Sequence, residues 1–183
     1  MKIAIINGHP NKKSFNTAIA KAYEKGAKKS KHEIKIINVR DMKFDIKEMD
    51  EKNNKDIKEA QKIISWANHL VFIFPNWWTT MPALMKGFFD KVFTKEYAFR
   101  FISKINWDKL LLGKSARVIV TMGTPTFIYK VFMKNPIKQN LKGTLNFCGI
   151  KPVKYTCIGS FADLTKNQRT EWLNKIEKIA MKE

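Results

Sequence analysis

The residues of this 183-residue chain that are suited to ligand chemistry fall in three short segments, each directly after an apolar run. The first, residues 7–16 (loop one), leads from such a run into a segment with helical periodicity. Ser14 is a favourable helix cap, and the free N–H groups at a helix N-terminus attract phosphate. The glycines of the dinucleotide fingerprint and of a Walker A loop are missing. Loop one predicts a phosphate site to which His9, Lys12 and Asn16 contribute, with simple capping by Ser14 as the alternative.

The second segment, residues 74–82 (loop two), carries the adjacent tryptophans Trp77 and Trp78 between Pro75 and Pro82. Rigid aromatic rings at the end of a buried strand suit a flat heterocyclic ligand, whose edge the backbone of loop two can contact. In the alternative interpretation, one tryptophan packs under the sheet and the other covers a dimer contact.

The third segment, residues 121–129 (loop three), combines Gly123 with the hydroxyls of Thr121 and Thr124. Glycine permits close approach of the backbone to a ligand. Tyr129 follows a few residues later and is predicted to donate to a ligand carbonyl, with an ordinary packing contact at a helix start as the alternative.

None of the three loops contains an acid–base pair, a metal-ligand cluster or a nucleophile with its base. His9 and Asp90 are the nearby ionisable residues besides lysine, and Asp90 falls within a predicted helix. A phosphate cradle with an aromatic slab but without catalytic side chains indicates that a cofactor carries the chemistry.

The elements that position these loops alternate between strand and helix over a single domain, residues 1–183. Helices are predicted after Ser14, from about Asp56, from Pro82, over about Phe127–Leu141 with an interruption at Pro136, and after a capping box at Thr165. Such alternation predicts a doubly wound α/β fold with a parallel sheet, whose ligands bind beyond the carboxyl ends of the strands. Five strands are predicted: Lys2–Asn7, Glu33–Val39, His69–Phe74, Ser115–Met122 and Val153–Ile158.

The net charge of +19 is the difference between 35 basic and 16 acidic residues. Of the basic residues, only Arg40, Arg100, Arg117 and Arg169 are arginine. Nucleic-acid readers favour arginine, and the lysines are spread along the chain, so we interpret them as a solvated coat. A nucleic-acid or membrane-surface binder that uses this coat is the alternative. No apolar run is long enough for a membrane span. Cys148 and Cys157 are expected to be free thiols in a reducing cytoplasm.

Three stretches together resemble the flavodoxin-like NAD(P)H:quinone oxidoreductases of the DT-diaphorase and modulator-of-drug-activity type. They are Gly8–Pro10 with Ser14–Asn16, then Pro75–Phe93, and Tyr97–Phe99. The most specific is the second, which matches the signature Pro-x-x-Trp…Pro-Ala-x-x-Lys-Gly-x-x-Asp-x-Val-Phe. The resemblance implies a flavodoxin-like sheet of strand order 2-1-3-4-5 and a bound flavin that relays a hydride from NAD(P)H to a quinone, azo or nitroaromatic acceptor in two steps.

The same resemblance assigns residues. It places His9, Ser14, Phe15 and Asn16 at the flavin phosphate, Pro75, Asn76, Trp77 and Trp78 beside the ring, and Thr121, Met122, Gly123 and Thr124 at its polar edge. Tyr129 would steady the carbonyl of the reduced flavin, without the histidine that some relatives carry six residues later, where this chain has Asn135. The family forms homodimers with substrate pockets at the interface, for which Tyr97, Phe99, Phe101 and Phe127 are candidates.

The cofactor is expected to be FMN, with FAD as the alternative, because the chain shows no segment for adenine. Two other functions remain open at this point: a flavodoxin-like electron carrier, and a regulatory flavoprotein subunit of an ion-efflux system.

Overall fold

The computed structural model describes residues 1–48 and 54–183. Five strands form one parallel sheet. They are β1 (Lys2–Asn7), β2 (Glu33–Asn38), β3 (His69–Pro75), β6 (Ser115–Thr121) and β7 (Val153–Ile158). Their order in the sheet is β2-β1-β3-β6-β7. This confirms the predicted doubly wound, flavodoxin-like sheet, since β6 and β7 are the fourth and fifth strands of the predicted order.

Helices cover both faces of the sheet, as a parallel sheet requires. One core lies between the sheet and α2, α3 and α5, and the other lies between the sheet and α1 and α6. The helices are α1 (Phe15–Lys29), α2 (Lys55–Trp66), α3 (Ala83–Val92), α4 (Thr126–Val131), α5 (Pro136–Phe147) and α6 (Lys166–Ala180).

Most helix boundaries follow the predicted capping chemistry. Thr165 and Gln168 form the capping box of α6, and Pro82 directly precedes α3 instead of being its first residue. The predicted interruption at Pro136 divides the segment into α4 and α5. There Asn135 adopts a left-handed conformation, and the proline, which lacks an N–H, occupies the first turn of α5.

A short antiparallel hairpin, β4 (Phe99–Phe101) and β5 (Trp107–Lys109), was not predicted. It is held by aromatic packing: the Trp107 ring stacks on Phe147 at 4.5 Å, and the indole N–H donates to the Phe147 carbonyl. Phe147 ends α5, just before β7 begins, so the hairpin lies near the amino ends of the parallel strands.

The amino end of the sheet also holds a charged network. Glu183, beyond the end of α6, buries its carboxylate against the guanidinium of Arg117 on β6, and Lys154 on β7 reaches the second oxygen at 3.3 Å. Nearby, His69 Nδ1 lies 2.7 Å from the Ser115 hydroxyl. Helix α6, which precedes Glu183, packs very closely on α1, because a Cβ on Gly26 of α1 would meet the backbone carbonyl oxygen of Glu177 in α6 at 2.1 Å.

Candidate cofactor site at the carboxyl edge

Loop one ends at a capped helix. The Ser14 side chain accepts a hydrogen bond from the Thr17 N–H at 3.2 Å, and the first turn of α1 contains no acidic residue. The N–H groups of Phe15 and Asn16 precede the first intrahelical hydrogen bond and have no acceptor within the helix. The positive end of the helix dipole and these free donors favour an anion at this position.

A buried asparagine that sequence reasoning did not assign to the site fixes the path of loop one. Asn7, fully buried, donates through Nδ2 to Thr17 Oγ1 at 3.2 Å, while its Oδ1 accepts from the N–H of His9 at 3.3 Å. Thr17 in turn lies 3.1 Å from the Ser14 hydroxyl. The available signal was a single amide at the end of an otherwise apolar strand, and such a group requires partners.

His9 is presented as a neutral imidazole. Its Nδ1 accepts a hydrogen bond from the N–H of Asn11 at 2.9 Å, and its ring meets Trp77 edge-on with centroids 6.0 Å apart. Burial lowers the pKa of His9, and the positive charge of Arg40 lowers it further. At neutral pH the proton is therefore on Nε2, which is the nitrogen able to donate to a ligand.

Arg40, just past β2, is a second residue that sequence reasoning did not place at the site. Its side chain is nearly buried, and Nε and Nη1 make no hydrogen bond to a described residue. The Asp41 carboxylate is 3.6 Å from Nε and mostly exposed. Arg40 therefore adds positive charge beside loop one that is only partly compensated.

Thr121 joins all three loops. Its hydroxyl donates to Asn16 Oδ1 of loop one at 2.9 Å, and its carbonyl accepts from the N–H of Asn76 of loop two at 2.7 Å. Two buried atoms at this junction have no partner among the described residues, namely Asn16 Nδ2 and Asn76 Oδ1. An unpaired buried polar atom costs free energy, so both atoms are available to a polar ligand.

Loop two projects both tryptophans outward. Trp77 and Thr80 exchange backbone hydrogen bonds of 2.9 and 3.0 Å around a two-residue turn, so Trp78 and Thr79 take left-handed φ values of 51° and 63°. Trp78 is 97% exposed and Trp77 46% exposed. The interpretation in which one tryptophan packs under the sheet is therefore wrong. A left-handed threonine is a strained conformation of the kind found at functional sites.

Loop three divides into a buried and an open part. Met122 is buried, and its N–H donates to the Ile158 carbonyl, so Met122 serves the core. Gly123 is exposed, with no atom within 4 Å of the position a Cβ would occupy. The N–H groups of Gly123 and Thr124 donate to no described residue and are free to contact a ligand edge.

Two residues assigned to the site, Phe15 and Tyr129, use their side chains in contacts with other residues of the protein. The Phe15 ring packs on Phe161 at 5.2 Å, which leaves its backbone N–H as the group that faces an anion. The Tyr129 side chain is fully buried, and its hydroxyl accepts a hydrogen bond from the N–H of Ile137 at 3.1 Å. Burial raises the pKa of Tyr129. This placement favours a structural role for Tyr129 at the start of α5.

The structure does not bring three of the four predicted pocket residues to the crevice of a single chain. The Tyr97 hydroxyl donates to the Gln61 carbonyl of α2 at 2.7 Å, and burial raises its pKa to about 12. Phe99 and Phe101 belong to the hairpin at the opposite end of the sheet. Only Phe127, 66% exposed at the start of α4, belongs to one of the three loops, loop three.

Among the described residues, no group of three or more metal-ligating side chains occurs. Cys148 and Cys157 are both free thiols. No helix in the described part of the chain combines the length and apolar character needed to cross a bilayer.

Comparisons with known proteins agree with this architecture. The chain is 27% identical over 170 residues to an uncharacterized NAD(P)H oxidoreductase of Haemophilus influenzae, covering 87% of this chain and 84% of that protein. It is 25% identical to NAD(P)H dehydrogenase [quinone] 1 of Cavia porcellus, covering 96% of this chain and 76% of that protein.

Solved structures show the same fold. Smu.1420 from Streptococcus mutans superposes with a TM-score of 0.88 at 33% identity, and the match covers 100% of both chains. A structure described as an FMN-dependent NADH-azoreductase from Bacillus anthracis, in complex with FMN, superposes with a TM-score of 0.76 at 20% identity, over 99% of this chain and 98% of that one. The family model for the flavodoxin-like fold matches residues 1–180, and the chain therefore belongs to this flavodoxin-like family.

Proposed function

We propose that the chain is a flavin-dependent oxidoreductase that transfers a hydride from NAD(P)H, by way of bound FMN, to a quinone or a similar acceptor. The observation that carries the proposal is the three-loop junction at Thr121, where the Asn16 and Asn76 amides each leave one buried polar atom unpaired. The junction lies at the carboxyl edge of the sheet, where folds of this kind bind their ligands.

The residues present fit FMN. The N-terminus of α1 supplies free N–H groups for a terminal phosphate, and the neutral His9 adds an Nε2–H donor. Trp77 is 46% exposed, and no atom lies within 4 Å of the position of a Cβ on Gly123, so loops two and three are both open to a flat ring system. When bound, FMN supplies a site that accepts a hydride and later releases two electrons.

The protein's part in this chemistry is to bind, orient and exclude water. Asn16 and Asn76 orient the polar groups of the cofactor, and the indoles of Trp77 and Trp78 shield the ring from solvent. The donor and the acceptor are expected to use the same open face of the crevice in turn, in a ping-pong sequence, because one bound cofactor would serve both.

A homodimer would complete the site. Large apolar side chains are exposed next to loop three and on the far hairpin, a pattern typical of interaction surfaces. A second copy of the chain that covers these surfaces could bring its own hairpin, with Phe99 and Phe101, towards the crevice. Next to loop three the exposed residues are Phe127, Ile128, Val131 and Phe132, and on and near the hairpin they are Phe101, Ile102, Ile105 and Leu112.

Flavin reconstitution tests the proposal. Protein stripped of small molecules should quench FMN fluorescence on binding, and the loaded protein should oxidise NADH or NADPH in the presence of menadione. Asn16→Ala should raise the Kd for FMN about tenfold, because it removes a buried polar contact. Asn140→Ala, on the exposed side of α5, is the matched control and should leave the Kd unchanged.

Three results would contradict parts of this proposal. If neither FMN nor FAD binds, the flavin assignment is wrong. If the loaded protein oxidises NAD(P)H only in the presence of a redox protein and never with menadione, the electron-carrier function takes its place. If sedimentation shows a monomer in which Phe132→Glu changes nothing, the completed site at a dimer interface is wrong.

A further inference from the structure

A groove of about 620 Å³ runs along the outer side of the edge strand β7, against α4 and α5. Four lysines line it, namely Lys130, Lys134, Lys138 and Lys142, and its floor contains Tyr155 and Cys157. We propose that this lysine groove is a second binding site, which takes a small polyphosphate-bearing molecule. The proposal goes beyond the flavin chemistry, to which none of these six residues is assigned.

The charge of the lysine groove is uncompensated. None of its lining residues is acidic. The sequence contains no aspartate or glutamate from Lys109 through Ala162, so all 16 acidic residues lie outside this stretch. Within residues 1–48 and 54–183, none of the four lysines forms an ion pair. Ammonium groups that line one groove repel one another, and an anion bound between them relieves this repulsion.

The floor of the groove supplies no hidden negative charge. Burial raises the pKa of the Tyr155 hydroxyl to about 12, and this hydroxyl donates to the Lys138 carbonyl at 3.2 Å. Burial also raises the pKa of the Cys157 thiol, against the opposing effect of Lys130 and Lys138. Both groups are therefore neutral at physiological pH, and the full charge of the lysines is available to a ligand.

A second lysine cluster shows what a merely solvated lysine face looks like in this protein. On α1, Lys28 pairs with Glu24, and Lys25 and Lys29 both pair with Glu177 of α6. Each of these three lysines therefore has a carboxylate partner, and two carboxylates offset most of their charge. The difference indicates that the uncompensated lysines of the groove are not a simple consequence of the high lysine content.

The size and lining of the groove favour a small molecule over a nucleic acid. Its volume falls within the range of about 300–1,000 Å³ that is common for small-molecule sites. Lys138 and Lys142 lie one turn apart on the same side of α5, so their ammonium groups can contact neighbouring phosphates. The lining has no arginine and only one aromatic ring, whereas single-stranded nucleic acids are held by rows of stacking rings.

Calorimetric titration of the FMN-loaded protein with sodium tripolyphosphate and with ATP tests the site. Loading with FMN beforehand keeps the phosphate site of loop one occupied. The absorbance of the bound flavin measures this loading separately, so a failure to bind FMN is distinguished from a failure of the groove to bind the probes. Both probes are expected to bind at physiological salt, about 0.15 M. Equal affinities would identify the phosphate chain as the ligand, and tighter binding of ATP would add a contact to the nucleoside.

Two double variants with the same change in net charge distinguish the groove from the general lysine coat. Lys138→Gln with Lys142→Gln should weaken binding of both probes at least about tenfold, because two charge-assisted contacts are lost. Lys21→Gln with Lys28→Gln, on α1, should change it less than about twofold. Equal weakening in both variants, or no binding by wild type, would overturn the proposal. Groove-dependent binding of a short oligothymidylate that is tighter than that of ATP would overturn it in favour of a nucleic-acid site.

Discussion

The two ends of the central sheet differ in how their charged and polar groups are partnered. At the amino end, the Glu183 carboxylate is paired with Arg117 and Lys154, and His69 Nδ1 lies within hydrogen-bond distance of the Ser115 hydroxyl, although His69 Nε2 has no partner among the described residues. At the carboxyl end, the Asn16 and Asn76 amides each keep a buried atom unpaired, and the turn at Trp78 is strained. Polar groups that the chain pairs with itself contribute to stability, whereas those that it leaves unpaired are available to a ligand.

This difference predicts where substitutions should change the free energy of unfolding and where they should change the affinity for flavin. Changes at the amino end should lower the free energy of unfolding and leave the flavin affinity of the folded protein unchanged. Removal of the unpaired or exposed side chains at the carboxyl end, those of Asn16, Asn76 and Trp78, should instead lower flavin affinity and leave the free energy of unfolding nearly unchanged. The predictions that follow test this separation.

Arg117→Gln should have the largest effect. It leaves the Glu183 carboxylate, 5% exposed, without its principal partner, and breaking a buried pair in this way costs roughly 3–5 kcal/mol of unfolding free energy. Lys154→Gln, which removes the exposed partner of the same carboxylate, should cost only about 0.5 kcal/mol. Urea unfolding measures both. Equal losses in the two variants would show that the network is not effectively buried.

Acid should destabilise the protein through His69. Burial lowers its pKa from 6.5 to about 4, so between these values the unfolded chain binds a proton that the folded chain does not. The free energy of unfolding should therefore fall by about 3 kcal/mol as the pH falls through this window. His69→Gln should flatten this part of the stability curve, and an unchanged slope in the variant would contradict the assignment.

Glu183 should add to this loss at lower pH. Burial alone would raise the pKa of its carboxyl, but the hydrogen bond and charge of Arg117, with His69 and Lys154, outweigh burial and hold the pKa below its usual range. Its stabilising contribution is therefore present above the unfolded pKa and is lost as the pH falls through the folded value.

The turn in loop two should separate strain from binding. Thr79→Gly should raise the free energy of unfolding by about 1 kcal/mol, because glycine adopts the left-handed conformation without strain, and FMN binding should persist. Trp78→Ala should leave stability unchanged, since the side chain is almost fully exposed, and should raise the Kd for FMN several-fold. Thermal unfolding and flavin quenching measure the two quantities. If Trp78→Ala lowers stability as much as affinity, the indole serves packing.

Tyr129→Phe should have a small effect that is confined to stability. It removes the acceptor of the buried Ile137 N–H and should cost about 1 kcal/mol of stability, with flavin content and turnover unchanged. Slower turnover at unchanged stability would instead restore the catalytic role that the family resemblance implies for this residue.

The sequence predicted the sheet well because its central strands β1 and β3 are nearly continuous apolar runs, and such runs are easily recognised. It did not predict the hairpin at Phe99–Phe101 and Trp107–Lys109, whose strands have three residues each. Runs that short carry no usable periodicity, and the stacking of Trp107 on Phe147 that holds them links residues distant in the chain.

The candidate site was predicted in part for a related reason. Local chemistry identified the cap at Ser14 and the aromatic pair of loop two, because these properties depend on neighbours in the chain. The burial of Tyr129 and the position of Tyr97 against α2 depend on packing between distant segments, which motif spacing does not report. For the same reason, Asn7 and Arg40 were not predicted as residues that shape loop one.

The glycine at position 26 has a consequence that reaches across the molecule. Because α6 lies against the backbone of α1 at this point, a methyl group there would push the last helix outward by several tenths of an ångström or more. Such a shift would draw the side-chain carboxylate of Glu183 away from the guanidinium of Arg117 on β6. The ion pair that Glu183 makes, more than 150 positions later in the chain, thus depends on the absence of a side chain at Gly26 in the first helix.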